Sequence, residues 1–185
     1  MKHERTSART LWIRLLTLIA ASGFTSVCCA DDGASQGEAQ LKAAYVFNFV
    51  KFVDWEGHAW ADVLAICFEG ADDVRVALTL AVADKSVGTR KILVRAATGP
   101  VDKDRCNVVY VDSARVASAR WSASSSALTI GDTEDFTRTG GIIRLYTDSN
   151  RLRFIVNVGN ARRAGLQISS NLLKLATHVE QEATP

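Results

Sequence analysis

Histidine and proline are scarce in this chain of 185 residues, with 3 of one and 2 of the other. With so little proline and no long low-complexity run, extensive disorder is excluded except at the ends. The histidines His58 and His178 stand far apart, neither in a two-His spacing that would hold zinc, so each reads as a surface or half-buried imidazole. Phosphate loops of the G-x-G-x-x-G or Walker type are missing. So are a Cys-x-x-Cys redox pair and a G-x-S-x-G nucleophile elbow, "SASSSA" included. No catalytic residue, metal or cofactor is expected. A hydrolase would need a site assembled from scattered residues, which is the remotest of the readings considered.

What is present has the balance of one folded domain: 48% hydrophobic and 23% charged residues. The start of the chain is separate in character. "MKHERTSARTLWIR" is basic, "LLTLIAASGFTSV" is apolar but short for a membrane span, and "CCA" offers a small-x-small site. Residues 1–30 therefore read as a secretory signal peptide cut after Ala30, with an uncleaved anchor as the alternative. Val27 before Cys28 and Cys28 before Cys29 fit a lipoprotein site poorly.

Removing that segment takes Lys2, Arg5, Arg9 and Arg14 from 22 basic residues and Glu4 from 20 acidic ones. The remainder has 18 and 19, a net charge of −1. No concentrated positive face for nucleic acid is expected. Four cysteines become two, Cys67 and Cys106. In an exported protein this fits one disulfide, with two separate buried thiols as the alternative. Cys67 lies late in one expected strand and Cys106 just before another, so the pairing calls for a twisted or antiparallel arrangement.

Residues 31–37 ("DDGASQG") read as a flexible leader and 38–185 as the domain. "EAQLKAAYVFNFVKFVDW" opens it as a buried helix, with Leu41, Ala44, Tyr45, Asn48, Phe49 and Phe52 on one face. Strands are expected at 63–68, 90–96, 107–112 and 127–132. Helical spacing falls between the first two (Val74, Ala77, Leu78, Ala81), and a short helix should start at Ser113. In "GDTEDF", Asp132 or Thr133 reads as a cap for a short helical turn. Two apolar runs, 142–146 and 152–158, flank the turn formers "TDSN" and read as a hairpin. In "NARRAGLQISSNLLKLATHVE", Gly165 marks a bend and Ser169 or Ser170 caps a last helix that includes His178. The sum is an α/β domain: a mixed, mostly parallel sheet flanked by helices, with a late antiparallel hairpin.

Three stretches carry a family likeness. They are "QLKAAYVFNFVKFVDW", the more loosely matching "LAICFEG" and "CNVVYVD", and the long "TIGDTEDFTRTGGIIRLYTDSNRLRFIVNVGNARRAGLQISSNLLKLA". The chain resembles the YfiR-like periplasmic proteins of Gram-negative bacteria across nearly all of residues 38–185. The resemblance implies a periplasmic repressor that binds the periplasmic domain of an inner-membrane diguanylate cyclase and so lowers cyclic-di-GMP output and biofilm formation. It also implies homodimer formation. Cys67 and Cys106 match one of two disulfides of the family's type member. At the second pair this chain has Ile142, Ile143, Tyr146 and Leu152, so redox control of the same kind is not expected.

Such a repressor must prefer the inactive state of its receptor, by roughly 3 kcal/mol for a hundredfold effect. Phe47, Leu166, Ile168 and Leu172 are the expected partner-binding residues. The second reading is a periplasmic sensor that binds a small molecule, which a polar-lined pocket would favour.

Overall fold

The short apolar runs 63–69, 108–111 and 128–131 become central strands and are buried on both faces almost throughout, whereas the run 90–96 is half-exposed. The structure, a computed structural model, describes residues 31–55, 62–97, 105–113 and 126–182. The expected signal segment, His58 and the helix expected from Ser113 onward lie outside those ranges or almost wholly so. The described elements are α1 (Asp31–Lys51), β1 (Val53–Asp54), β2 (Val63–Glu69), α2 (Asp72–Val82), β3 (Ser86–Val87), β4 (Arg90–Ala96), β5 (Val108–Val111) and β6 (Leu128–Gly131). A 3-10 turn (Thr137–Thr139) follows, then β7 (Ile143–Asp148), β8 (Arg151–Asn157), α3 (Val158–Arg163), β9 (Gln167–Ile168), α4 (Ser170–Leu173) and β10 (His178–Glu180).

Eight strands form the main sheet in the order β10-β8-β7-β6-β5-β2-β4-β3. From β4 through β7 the neighbours run parallel. β7 and β8 form the expected antiparallel hairpin. Its turn residues Ser149 and Asn150 both have positive φ (49° and 60°), the backbone hand that matches strand twist in a two-residue hairpin. The fold is the mixed α/β sheet expected from the strand and helix pattern.

One face of the sheet presents Leu64, Ile66, Phe68, Val108, Tyr110, Leu128 and Ile130 to a core that includes residues of α1 and α2. The opposite face holds a smaller cluster of Cys67, Ala97, Cys106, Val109, Val111, Ala127 and Phe136. This division follows from side chains alternating across a strand. In α2 the inward residues are Val74, Leu78 and Val82, spaced four apart, while Ala81 is exposed.

Three expectations need correction. Residues 31–37, expected as a leader, form the first turns of α1, since nothing in that stretch stops a helix as proline would. The buried face of α1 is Ala39, Ala43, Val46, Phe49 and Val50, whereas Leu41 is 46% exposed. A helix apolar on most sides does not declare its inner face. Here small residues at 39 and 43 lie inward, while Phe49 meets Phe154 with ring centres 4.9 Å apart. Finally, the last helix stops after one turn. The N–H of Asn171 reaches the Ser169 hydroxyl at 3.3 Å, so that cap is present, but residues 178–180 are strand, parallel to β8. Pairing with the open edge of β8 outweighs helix propensity.

The Cys67–Cys106 disulfide is formed, with Cα atoms 5.9 Å apart. No antiparallel arrangement is involved, because β2 and β5 are parallel with Cys67 opposite Val109. Three residues of extended chain would put Cys106 about 10 Å further along the strand. The chain must therefore come over the sheet face toward Cys67 before entering β5. Asn107 anchors that entry: its N–H donates to the Ala65 carbonyl at 2.9 Å, and its side-chain oxygen accepts from the Ala65 N–H at 2.6 Å.

Candidate functional site

The carboxy-terminal segment is clipped to the end of α1. β1 continues from α1 and pairs antiparallel with β9, Val53 opposite Ile168. The Ser169 N–H donates to the Phe52 carbonyl at 2.9 Å. Gly165, with φ 70°, makes the bend that turns the chain out of α3.

Of the expected partner-binding residues, Leu166 and Leu172 are 1% and 3% exposed. They are core, and a correction is needed: neither presents a surface. Phe47 and Ile168 are half-buried and pack against the core from outside. The Lys51 ammonium stands 3.9 Å above the Phe47 ring and Lys85 5.2 Å from it. An aromatic face is thus ringed by positive charge, an arrangement attractive in its own right. Gln167 between Leu166 and Ile168 is exposed, so the two apolar residues do share the inward direction.

The long carboxy-terminal signature is largely structural. Asn160 donates through its side-chain amide to the carbonyls of Thr137 (2.9 Å) and Gly141 (2.8 Å). Asn157 accepts from the Asn160 N–H at 2.8 Å and donates to Glu180 at 3.0 Å. Thr137 donates to the other oxygen of Glu180 at 3.2 Å. These buried amides tie the 3-10 turn, α3 and β10 together by satisfying groups that water cannot reach.

A second polar group lies at the carboxyl ends of the parallel strands. The chain leaves β2 toward β4 on one side, while β5 is followed by β6 on the other. Between β2 and β5 the strand order reverses, and open α/β sheets place ligand crevices at such a point. Here Ala71 takes a left-handed backbone (φ 50°), and its N–H donates to Asp112 Oδ2 at 3.1 Å. Asp132, just after β6, accepts from the Ser113 N–H at 2.8 Å. It also faces the Lys42 ammonium of α1 at 3.7 Å, each side chain 18% exposed. Lys42 meets Glu38 more closely, at 2.9 Å.

Asp132 thus bridges to the end of β5 and to α1, and the cap reading of "GDTEDF" is overturned. Burial pushes its carboxyl above the ordinary aspartate range, Lys42 pulls it back, and Asp112 pushes it up again. Lys42 is also raised: burial lowers it, but Glu38, Asp132 and Asp73 together outweigh that. The two partners do not mirror each other because the nearer carboxylate, Glu38, takes most of the Lys42 interaction. Tyr110 on β5 is fully buried and stacked on Phe68, and its hydroxyl has no hydrogen-bond partner among the described residues. Burial, and then Asp132, Asp112, Asp73 and Glu38, hold that phenol far above its ordinary range. Sequence reading missed Lys42, Tyr110 and Asp112, which no local motif marks.

No group of three or more potential metal ligands occurs among the described residues. No described helix is long and apolar enough to cross a membrane. Among curated proteins none matches. Similar solved structures include a conserved domain protein from Vibrio cholerae O1 biovar El Tor str. N16961, at 12% identity and TM-score 0.47, covering 77% of this chain and 60% of that one. Another is the ABC domain in complex with L-Trp from Streptococcus pneumonia, at 11% identity and TM-score 0.45, covering 76% and 60%. The chain thus spans about 60% of the length of these structures. The YfiR/HmsC-like family matches residues 39–177, from α1 to the residue before β10, and supports a periplasmic regulatory role in general. The chain belongs to the YfiR/HmsC-like family.

Proposed function

We propose that this protein binds the periplasmic domain of an inner-membrane signalling protein, a diguanylate cyclase, and holds it inactive. The family match over residues 39–177 is the observation that carries this reading. The contact surface is the half-buried apolar rim formed by Phe47 on α1 and Ile168 on β9, elements joined through β1. Lys51 and Lys85 around Phe47 favour acidic groups on the partner, which would steer association and fix its register. Repression then follows from binding the inactive cyclase better than the active one.

Two substitutions test the surface. Leu166→Asp should unfold the protein, because an unpaired charge would enter the core. Ile168→Asp should leave the circular dichroism spectrum intact and raise cyclic-di-GMP in a strain carrying the partner cyclase. A folded Ile168→Asp protein that still represses and still co-purifies with membranes would remove β9 from the interface.

A further inference from the structure

We infer that the outer face of the β7–β8 hairpin is a docking surface for an acidic segment of a partner protein, whose carboxylate pairs with Arg144 beside the Tyr146 ring. This surface is separate from the Phe47–Ile168 rim and does not rest on the cyclase reading.

Alternation along the two strands separates the two surfaces. Leu145, Leu152 and Phe154 belong to the core that also holds Phe49 of α1, and the rings of Phe49 and Phe154 are 4.9 Å apart. Their neighbours Arg144, Tyr146, Arg153 and Ile155 therefore point to the other side of the sheet. Register brings these four together, with Arg144 opposite Ile155 and Tyr146 opposite Arg153. Side chains opposed in this way have Cβ atoms about 5 Å apart. All four are half-buried.

Arg144 is the member that the fold itself leaves uncompensated. Its guanidinium carbon stands 4.9 Å from the centre of the Tyr146 ring. On the β6 side its register partner is Gly131, against which the Phe136 ring lies. The guanidinium is thus set among aromatic and aliphatic neighbours. Its Nε is buried and has no hydrogen-bond partner among the described residues. Burial of an unpaired charge is costly, and the planar fork of an arginine matches a carboxylate. The carboxylates of the neighbouring strand positions are engaged elsewhere. Asp148 Oδ2 lies 3.0 Å from Arg153 Nε, close enough to attract it though not aligned for a hydrogen bond. Glu180 is held by Asn157 and Thr137.

Charge and composition say what covers the face. Arg144, Arg151 and Arg153 share it with one aspartate, Asp148, so its electrostatic complement is acidic. Arginine and tyrosine are also enriched where protein partners bury their contacts. A recessed guanidinium needs a carboxylate that projects from a firm backbone, as Asp or Glu does on a helix or strand. An anionic bilayer would instead meet the hairpin turn first, where Asp148 is exposed beside Ser149 and Asn150 and repels it.

The test places the photoreactive residue p-benzoylphenylalanine at Arg151 of the full chain in living cells, which leaves Arg144, Tyr146 and Arg153 intact. Irradiation should cross-link a partner protein, and mass spectrometry should map the junction to a segment that carries Asp or Glu. Arg144→Glu should cut capture at least tenfold with an unchanged circular dichroism spectrum, and replacing the mapped carboxylate by Arg should restore it. Arg144→Met, which keeps an apolar stem and removes the charge, should remain folded and capture several-fold less. Ile168→Asp, on the other face of the sheet, should capture as the parent does. Absence of a cross-linked protein overturns the proposal, as does a junction to lipid, to a second copy of this chain or to a segment without a carboxylate. So does capture that is undiminished in folded Arg144→Met, that the charge exchange does not restore, or that is lost in Ile168→Asp.

Discussion

A methyl group on Gly131 would stand 2.5 Å from Cδ2 and Cε2 of Phe136. The aromatic ring therefore lies directly on the bare backbone at the end of β6. On its other side the ring meets Gly141 as closely, and a methyl there would also approach the Phe136 carbonyl oxygen at 2.7 Å. Phe136 is fully buried and has no free direction in which to yield. The spacing of Gly131, Phe136 and Gly141 in "GDTEDFTRTGG" is thus one packing unit, a ring held between two glycines.

Gly131→Ala should destabilise the protein by about 1–3 kcal/mol, the ordinary cost of overpacking a tight core. Gly141→Ala should cost at least as much, since a backbone carbonyl cannot rotate away as a side chain can. Urea denaturation measures both. In the double variant Gly131→Ala/Phe136→Leu part of the loss should return, because the two positions share one contact. A Gly131→Ala protein with an unchanged urea midpoint would show that the ring is not confined.

Asp132 should make stability depend on pH in the direction opposite to a salt-bridged aspartate. Its folded-state carboxyl lies above its ordinary value, chiefly through burial, so the folded protein holds the proton more tightly than the unfolded chain does. That contribution is fully present below the unfolded aspartate value of about 3.9. It is lost as pH rises through the folded value. Asp132→Asn removes the penalty and retains a side-chain oxygen for the Ser113 N–H, while Lys42 keeps Glu38. The variant should equal or exceed the parent in stability at pH 7, with the difference shrinking toward pH 3.5. A loss above about 1 kcal/mol at pH 7, on the scale of a substantial ion pair, would mean that the contact with Lys42 outweighs burial.

The disulfide closes a sequence separation of 39 residues, so by chain entropy it contributes up to about 4 kcal/mol. Cys67→Ala/Cys106→Ala should lose about 2–4 kcal/mol in urea while keeping its native circular dichroism. The bridge should also resist reductant in the folded state. Cys67 is 0% exposed and Cys106 7%, so a thiolate reaches Cys106 first and must expel a Cys67 thiolate into apolar surroundings. The Arg95 guanidinium, 3.6 Å from Cys106 Sγ, supports charge on the wrong sulfur for that step. Alkylation and mass spectrometry after dithiothreitol should find the bridge intact until urea is added. Rapid reduction without urea would refute this protection.

The apolar runs of β2, β4 and β5, the "TDSN" hairpin, the Gly165 bend and the Ser169 cap were legible in the sequence, because each rests on neighbours within a few residues. So was the family, carried by ordered motifs along the chain. Other features depended on contacts between distant segments. Residues 178–180 became strand because β8 had an open edge to pair. The inner face of α1 was set by the sheet beneath it, since the helix is apolar on most sides. Leu166 and Leu172 proved to be core because β1 and β9 draw the carboxy-terminal segment onto the end of α1. Lys42 and Asp132 meet because the middle of α1 passes the carboxyl end of β6. Local sequence encodes periodicity, turn and cap. Which charges share a buried space is decided by the sheet order, through burial and through the short range at which charges act on one another.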